Sequence, residues 1–234
     1  MMQPTLGLDA ACAVTWDAIV LGGGPAGALA ARQLATGGAR VLLVDKKPFP
    51  RSKVCGACLN GQALSVLRAV GLGNLVADLG GIPLDTFELR LADQSAQLSL
   101  PAGAALSRAR LDAALVSAAI SAGAEFLPET RASVDGVESN MRRVVLTRDG
   151  QSRMASARVV LVAAGLAHTC LARDPTFQIR TRAGSRIGAG CVLEHFPDFF
   201  RERTIFMAVG RHGYVGLVRL EDGLLNIGAA LDRS

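Results

Sequence analysis

The residues of this chain with the clearest potential for chemistry are glycines near its N-terminus. Gly22, Gly24 and Gly27 follow the spacing G-x-G-x-x-G. In that pattern the first glycine permits a tight turn, the second lets the backbone approach a pyrophosphate, and the third lets a helix pack closely on a strand. The N–H groups and the positive dipole end at the start of such a helix attract phosphate. The spacing therefore predicts a site that binds a dinucleotide.

The elements on either side of these glycines predict a strand–turn–helix–strand unit. Residues 17–21 form a short apolar run, as in a buried strand, and residues 25–36 are rich in Ala and Leu with a proline in the first turn of the expected helix. Two glycines end that helix, and residues 40–45 predict a second buried strand that ends at Asp45. An acid at this position would accept hydrogen bonds from a ribose. A glycine-rich turn of an ordinary α/β domain is the alternative, and the helix stop and the terminal acid argue against it.

Composition limits the class of protein. A chain of 234 residues, half of them apolar, is long enough for one large domain or two closely joined ones. Its net charge of +5 comes from dispersed side chains, so nucleic acid is not an expected partner. Five scattered cysteines do not form a disulfide framework, and we expect neither a signal peptide nor a transmembrane span. These features predict a cytoplasmic protein and leave peripheral contact with a membrane open.

The remaining elements predict an α/β protein with two domains. A helix is expected from a cap at Ser107, a β-meander over about 132–157, and a buried strand that ends at Ala163. Beyond residue 176 the patterns are those of strands, and the aromatic residues among them, although more typical of a core, would line an apolar pocket. The predicted domains are a Rossmann-like dinucleotide-binding domain at 16–175 and, at 176–234, part of an inserted or appended substrate domain with a mixed β-sheet.

Three segments resemble FAD-dependent oxidoreductases built like p-hydroxybenzoate hydroxylase, and especially their geranylgeranyl reductase branch. The segments are the first strand–helix–strand unit with Asp45 and Lys46, "PFPRSKVCGACL" at 48–59, and "LSRARLDAAL" at 106–115. The second is similar to a Pro-Arg-x-Lys-x-Cys-Gly element beside the flavin, and the third to an arginine that precedes a Leu-Asp-x-x-Leu helix. The resemblance implies that the Rossmann-like domain binds FAD, that NAD(P)H donates the electrons, and that the substrate is a hydrophobic small molecule.

The resemblance also implies which residues meet the cofactor. Lys46 and Arg108 would offset phosphate charge or pack on the adenosine. Cys55, the candidate catalytic residue, would lie at the isoalloxazine face and shape the pocket. Simpler alternatives are a solvated Lys46, a surface ion pair of Arg108 and a small buried Cys55. The implied cofactor-binding residues are Gly22, Gly24, Pro25, Ala26, Gly27, Asp45, Lys46, Arg108 and Gly165.

Two departures from the family pattern lead us to expect a truncated flavoprotein. Ala164 stands where the family has the aspartate of an Ala-Asp-Gly element, so that Gly165 alone matches it. The later Gly-Asp-Ala-Ala-Gly element, whose aspartate binds the ribityl chain and pyrophosphate in the family, has no counterpart in these residues. A partner that supplies the rest, or weak binding of FAD, would explain the same departures.

Cys55 and Cys58 form the pattern C-x-x-C, which invites a zinc or a redox interpretation. No second ligand pair has a suitable spacing for zinc, and His168 and Cys170 are isolated, so we expect no metal. A redox pair is the other alternative, because a basic loop with Lys53 would lower the pKa of a thiol.

The motifs together favour an FAD-dependent oxidoreductase of the reductase or the monooxygenase type. A dehydrogenase that binds NAD(P) at the glycine turn is one alternative, although Tyr214, the only tyrosine, is not followed by the lysine of a Tyr-x-x-x-Lys pair. A non-catalytic flavoprotein remnant is the other, suggested by the missing aspartate element. Consumption of oxygen with substrate would distinguish a monooxygenase from a reductase.

Overall fold

The chain forms two compact units in the computed structural model, which describes residues 1–166, 169–172, 177, 180 and 182–233. The first unit comprises Met1–Arg51 and Asp112–Arg180, and the second comprises Ser52–Leu111 and Thr181–Ser234. The predicted division between residues 175 and 176 differs from this grouping. The physical reason is that two strands from within 52–111 join the C-terminal sheet by backbone pairing.

Five helices and fifteen strands occur in the described residues. The helices are α1 (Leu8–Ala13), α2 (Pro25–Thr36), α3 (Gly61–Ala69), α4 (Leu75–Asp78) and α5 (Arg108–Ser121), with a 3-10 turn at Thr169–Leu171. The strands are β1 (Thr15–Leu21), β2 (Val41–Val44), β3 (Cys58–Asn60), β4 (Ile82–Pro83), β5 (Thr86–Leu91), β6 (Gln94–Ser99), β7 (Gly103–Ala105), β8 (Glu125–Leu127), β9 (Arg131–Glu138), β10 (Met141–Arg148), β11 (Gln151–Val162), β12 (Ile187–Leu193), β13 (Thr204–Gly210), β14 (Gly213–Arg219) and β15 (Leu225–Leu231). Among the described residues, no helix is long and apolar enough to cross a membrane.

The first unit is built on a six-stranded sheet with the order β8-β2-β1-β11-β10-β9. β1 pairs in parallel with both β2 and β11, and α2 is the crossover between β1 and β2. Every residue of β2 and the last four residues of β1 are buried, as their apolar runs predict. The predicted α/β class and the strand–turn–helix–strand unit are thereby confirmed.

β11 is longer than the sequence pattern indicates, because it pairs with two different neighbours. The pattern predicts a last meander strand and a separate buried strand, whereas Gln151–Val162 is continuous and its residues 158–162 are exposed or only partly buried. Its first half pairs antiparallel with β10, and its second half pairs parallel with β1. The meander is therefore joined through one strand to the centre of the sheet, and β11 leads directly into the segment that follows Val162.

The second unit contains two sheets. The larger has the order β12-β15-β14-β13-β5-β6, in which β13 and β5 are parallel and the other neighbours are antiparallel. The smaller has the order β3-β7-β4. A buried cluster of Ala57, Leu84, Ala105, Val218 and Leu220 includes residues of both sheets. The mixed sheet predicted for the C-terminal part is present, with β5 and β6 added from outside the predicted range.

Candidate functional site

The glycine turn is closed by backbone on two sides. Only Gly22–Gly24 connect β1 to α2. Gly22 has a φ of +111°, and a Cβ atom added there would overlap the carbonyl oxygen of Ala163. A Cβ atom at Gly27 would overlap the carbonyl oxygen of Gly22. Both glycines permit backbone contacts that a larger residue would break, as the motif predicts.

The start of α2 is open to an anion. Gly24 is its N-cap residue, no side chain caps it, and its first turn contains no acidic residue. Pro25 has no N–H group, and the N–H of Ala28 donates to the carbonyl oxygen of Gly24 at 2.9 Å. The N–H groups of Ala26 and Gly27 consequently have no acceptor within the helix. With the positive end of the helix dipole, these groups give the helix start the properties of a phosphate site.

Gly23 is a variable position in the motif, but in this structure it is restricted to glycine. A Cβ atom at Gly23 would lie 2.9 Å from Cζ of Phe49 and 3.5 Å from Oδ2 of Asp45. Phe49 is fully buried, so its ring has little freedom to move aside. The sequence signal for this restriction is the unbroken run of three glycines, which does not identify Phe49 as the cause.

Asp45, directly after β2, is hydrogen-bonded to the glycine turn. Its Oδ2 accepts a hydrogen bond from the N–H of Gly23 at 2.8 Å, and its Oδ1 accepts one from the N–H of Lys47 at 2.9 Å. The residue is only 8% exposed. A ribose hydroxyl would use the remaining lone pairs of the carboxylate, which has about four acceptor sites. The structure thus shows Asp45 holding the turn, and its bond to a ribose stays a prediction.

Arg51 connects Asp45 to a second buried carboxylate. Nη2 of Arg51 lies 3.5 Å from Oδ2 of Asp45 and 3.3 Å from Oδ2 of Asp112 in α5. Asp112 is completely buried, and a buried carboxylate is tolerated only when it is paired and hydrogen-bonded. Nε of Arg51 is buried without a hydrogen-bond partner among the described residues. Sequence reasoning missed Asp112, although a single acid among the apolar residues of α5 was an available signal.

Two further predicted residues belong to the first unit. Lys46 follows Asp45 and is exposed. Gly165 has a φ of +75° and lies two residues after Ala163, whose carbonyl oxygen faces Gly22. The glycine turn, Asp45 and the residues after β11 therefore meet at the C-terminal ends of β1, β2 and β11. In open α/β sheets this is the end at which ligands bind.

Cys55 and Cys58 belong to the second unit and are free thiols. The backbone oxygen of Cys55 accepts a hydrogen bond from Nδ2 of Asn226 at 3.0 Å, and the thiol of Cys58 donates one to the carbonyl oxygen of Gly56 at 3.1 Å. Cys58 is exposed as a residue, but burial of its thiol group, helped by the charge of Cys55, raises the pKa of Cys58 to about 12. The expectation that the basic loop lowers the thiol pKa is wrong for Cys58, which argues against the redox alternative.

The described residues contain no group of three or more His, Cys, Asp or Glu side chains that could hold a metal ion. His168, one of the residues considered for zinc, lies outside the described residues. Cys170 is a buried free thiol, and its burial raises its pKa.

Arg108 is the first residue of α5, and a buried glutamate holds the start of this helix. Oγ of Ser107 accepts a hydrogen bond from the N–H of Arg110 at 3.3 Å, which confirms the predicted cap. The N–H and Oγ of Ser107 donate to the two carboxylate oxygens of Glu221 at 2.9 and 2.6 Å. Glu221, whose side chain is fully buried, also lies 3.5 Å from Nε of Arg110. The turn between β14 and β15 therefore positions the residue before Arg108, which no local pattern indicates.

The C-terminal aromatic residues have different environments. The ring centroids of Phe199 and Phe200 are 4.2 Å apart, and those of Phe200 and Phe206 are 5.2 Å apart. Phe206 is buried, whereas Tyr214 is 40% exposed. Phe206 is therefore a core residue of the second unit. Tyr214, in β14, is partly open to solvent.

The sequence is similar to a domain family and to two curated reductases. The family model described as FAD binding domain matches residues 15–193. A menaquinone reductase of Mycobacterium tuberculosis is 34% identical over 154 residues, which cover 64% of this chain and 37% of that protein. A digeranylgeranylglycerophospholipid reductase of Methanosarcina mazei is 30% identical over 228 residues, which cover 92% of this chain and 54% of that protein.

The fold is similar to that of a solved flavoprotein/dehydrogenase from Cytophaga hutchinsonii. The TM-score is 0.80 at 19% identity, over 93% of this chain and 56% of that chain. At this identity the likeness concerns the fold alone. The chain spans about half or less of the length of each of these three proteins.

Proposed function

Because the chain belongs to the FAD binding domain family, we propose that it forms the FAD-binding part of an oxidoreductase that reduces or hydroxylates a hydrophobic small molecule with electrons from NAD(P)H. The observation that carries the proposal is the glycine turn. Backbone fills the space that a Cβ atom would need at Gly22 and Gly27, while the N–H groups at the start of α2 have no acceptor in the helix. A diphosphate fits such a cradle, and FAD, when bound, supplies the redox chemistry.

The residues proposed to hold FAD in the first unit have distinct roles. The N–H groups of Ala26 and Gly27 bind the diphosphate, and Gly24 lets the backbone approach it. The carboxylate of Asp45 accepts a hydrogen bond from a ribose hydroxyl, in addition to those that it accepts from the N–H groups of Gly23 and Lys47. Lys46, which is exposed, offsets phosphate charge.

Three further roles rest on the family resemblance. Gly165, with its positive φ, would leave space for the cofactor in the segment after β11. Arg108 would offset phosphate charge, and Cys55 would shape the flavin pocket. The raised pKa of Cys58 argues against thiolate chemistry at that residue.

The proposed substrate class and reaction type rest on the names of the curated relatives. These names give menaquinone and digeranylgeranylglycerophospholipid as substrates and describe both proteins as reductases. By analogy, a hydrophobic substrate and a reduction are favoured for this chain. NAD(P)H as electron donor follows from the family resemblance.

Titration of the purified chain with FAD tests the proposal. We expect a yellow protein that binds FAD, and a rise of the Kd of about tenfold or more in Gly24→Val, because a side chain at the N-cap blocks the diphosphate. Gly210→Val is the matched control, since the nearest atom to an added Cβ lies 4.0 Å away. A colourless protein that does not respond to FAD, or equal affinities of the two variants, would contradict the proposal. Tight binding of NAD(P)H in the absence of flavin would favour the dehydrogenase alternative.

A further inference from the structure

Residues 1–14, which we call the N-terminal arm, precede β1 and the region that matches the FAD binding domain family, which begins at residue 15. Hydrogen bonds hold the arm to the rest of the first unit at two places. An outer anchor involves Met2 and Thr5, and an inner anchor involves α1. The two anchors reach different parts of the sheet, so their effects can be separated.

The outer anchor bonds the arm to Phe49 and to the edge strand β8. The N–H of Met2 donates to the carbonyl oxygen of Phe49 at 2.7 Å. Thr5 donates its N–H to the carbonyl oxygen of Phe126 at 3.0 Å, and its Oγ1 accepts a hydrogen bond from the N–H of Phe126 at 2.7 Å. This exchange of bonds satisfies backbone groups on a strand whose outer edge would otherwise be open.

Phe49 connects the outer anchor to the glycine turn. The rings of Phe49 and Phe126 are fully buried and meet edge to face, with centroids 5.5 Å apart. Cζ of Phe49 lies against Gly23, and the guanidinium of Arg51 lies 4.8 Å from the centroid of the Phe49 ring. The outer anchor therefore holds the Phe49 residue, whose ring contacts both the glycine turn and the guanidinium of Arg51.

The inner anchor holds α1 against β1 and β11. Nε1 of Trp16 in β1 donates to the carbonyl oxygen of Ala11 at 2.8 Å. Asp9 pairs with Nε of Arg153 in β11 at 2.9 Å, and Ala11 lies in the core of the first unit. The inner anchor thus attaches α1 to the two strands at the centre of the sheet. A variant of this anchor can therefore serve as a control for effects on overall stability.

We infer that the outer half of the N-terminal arm is a positioning element of the nucleotide site, with Thr5 and Phe49 as its positioning residues. Loss of the outer anchor loosens Phe49, and the turn then loses the bond between the N–H of Gly23 and Asp45. The identity of the ligand in this inference rests on the proposed function, whereas the coupling between arm and turn is a property of the protein alone.

Amide hydrogen exchange of the ligand-free full chain tests the coupling, because the N–H of Gly23 is bonded to Asp45. Thr5→Val removes the acceptor of the Phe126 N–H with little change of shape, and we expect exchange at Gly23 to become about tenfold faster. Phe49→Leu should have at least this effect. Amides of β10, in the centre of the meander, report global unfolding and correct for a general loss of stability.

Two control variants separate positioning from stability. Thr5→Ser keeps the hydroxyl that accepts the hydrogen bond from Phe126, so its exchange rate at Gly23 should equal that of the wild-type chain. Trp16→Phe removes the hydrogen bond to Ala11 and so weakens the inner anchor, and it should change that rate by less than about twofold once global unfolding is subtracted. Equal corrected acceleration of Gly23 in Thr5→Val and Trp16→Phe would overturn the inference.

The Kd for FAD, measured at a temperature where all variants are folded, is the second readout. We expect it to rise about fivefold or more in Thr5→Val and Phe49→Leu, and to stay within about twofold in Thr5→Ser and Trp16→Phe. Faster exchange at Gly23 with an unchanged Kd would overturn the positioning role. A wild-type chain without affinity for FAD would contradict the proposed function, while the exchange rates would still decide whether the arm holds the turn.

Discussion

Gly23 differs from the motif glycines Gly22 and Gly27 in the atoms that an added Cβ would meet. Gly22 and Gly27 face backbone atoms, whereas Gly23 faces the ring of Phe49. The same residue donates its N–H to Asp45, so the middle of the turn is fixed by one apolar and one polar contact. A site that holds a diphosphate through backbone N–H groups depends on this kind of rigidity, because the donors must be in place before the ligand arrives.

The substitution Gly23→Ala should destabilise the protein. The added Cβ atom would lie 2.9 Å from Cζ of the fully buried Phe49, and overpacking of this kind costs about 1–3 kcal/mol. The free energy of unfolding from a urea titration measures the effect. Gly56→Ala is the control, since an added Cβ meets no atom within 4 Å, and it should change the free energy of unfolding by less than about 0.5 kcal/mol. Equal losses in both variants would contradict this explanation.

The thiol of Cys58 should react slowly with iodoacetamide up to strongly alkaline pH. Its pKa is raised from an ordinary value of 9.0 to about 12, so the reactive thiolate is scarce in the folded protein at pH 9. As the pH rises, the Cys58 thiol loses its proton in the unfolded state before it does so in the folded state. The contribution of this thiol to the free energy of unfolding is therefore complete below pH 9 and is lost between pH 9 and about 12. Peptide mass spectrometry after timed alkylation measures the rate, with the exposed Cys191 as reference. Equal rates at the two cysteines at pH 9 would show that Cys58 is not protected.

At the scale of elements, α5 depends on a hairpin turn that is distant in the sequence. Glu221 holds the N–H and the hydroxyl of Ser107, which lies 114 residues earlier and caps the helix. A carboxylate near a helix start is also favoured by the helix dipole. The position of Arg108, the first residue of α5, is therefore set by the turn between β14 and β15.

The substitution Glu221→Ala should cost about 2–3 kcal/mol of stability, because the N–H and hydroxyl of Ser107 lose their buried acceptor. Glu221→Gln keeps one acceptor oxygen and should cost about 1 kcal/mol. Urea unfolding measures both values, and Glu202→Gln, an exposed glutamate, is the control. A loss in Glu221→Ala no larger than that of the control would show that the cap does not depend on Glu221.

At the scale of the whole molecule, segments of the two units alternate along the chain. The segment 52–111 interrupts the first unit and contributes β5 and β6 to the sheet of the C-terminal strands. The family match, at residues 15–193, contains all of this inserted segment. Segments of both units thus lie within the matched FAD binding domain region.

Oxygen dependence distinguishes the two reaction types proposed for the whole protein. With menaquinone as the probe substrate, we expect the chain to oxidise NADPH as fast in oxygen-free buffer as in air, because a reductase passes electrons to its substrate and not to oxygen. The absorbance of NADPH follows the reaction, and Gly24→Val is the inactive control. Turnover that stops when oxygen is removed would instead favour a monooxygenase.

Local patterns in the sequence were sufficient to predict the glycine turn, the strand–turn–helix–strand unit and the cap at Ser107. Each depends on residues a few positions apart, where the period of apolar residues and the conformational freedom of glycine act directly. The restriction at Gly23 was only partly visible, since the run of glycines shows a need for space but not what occupies it.

Only the tertiary structure decided which residues hold the turn and the helix start. Phe49 and Arg51 act on the turn from the loop after β2, and Glu221 acts on Ser107 across 114 residues. The pKa of Cys58 likewise follows burial rather than the lysine nearby in the sequence. In each case the decisive quantity is the set of atoms that folding brings within a few ångströms of a group, because hydrogen bonding, desolvation and steric overlap all act over that distance.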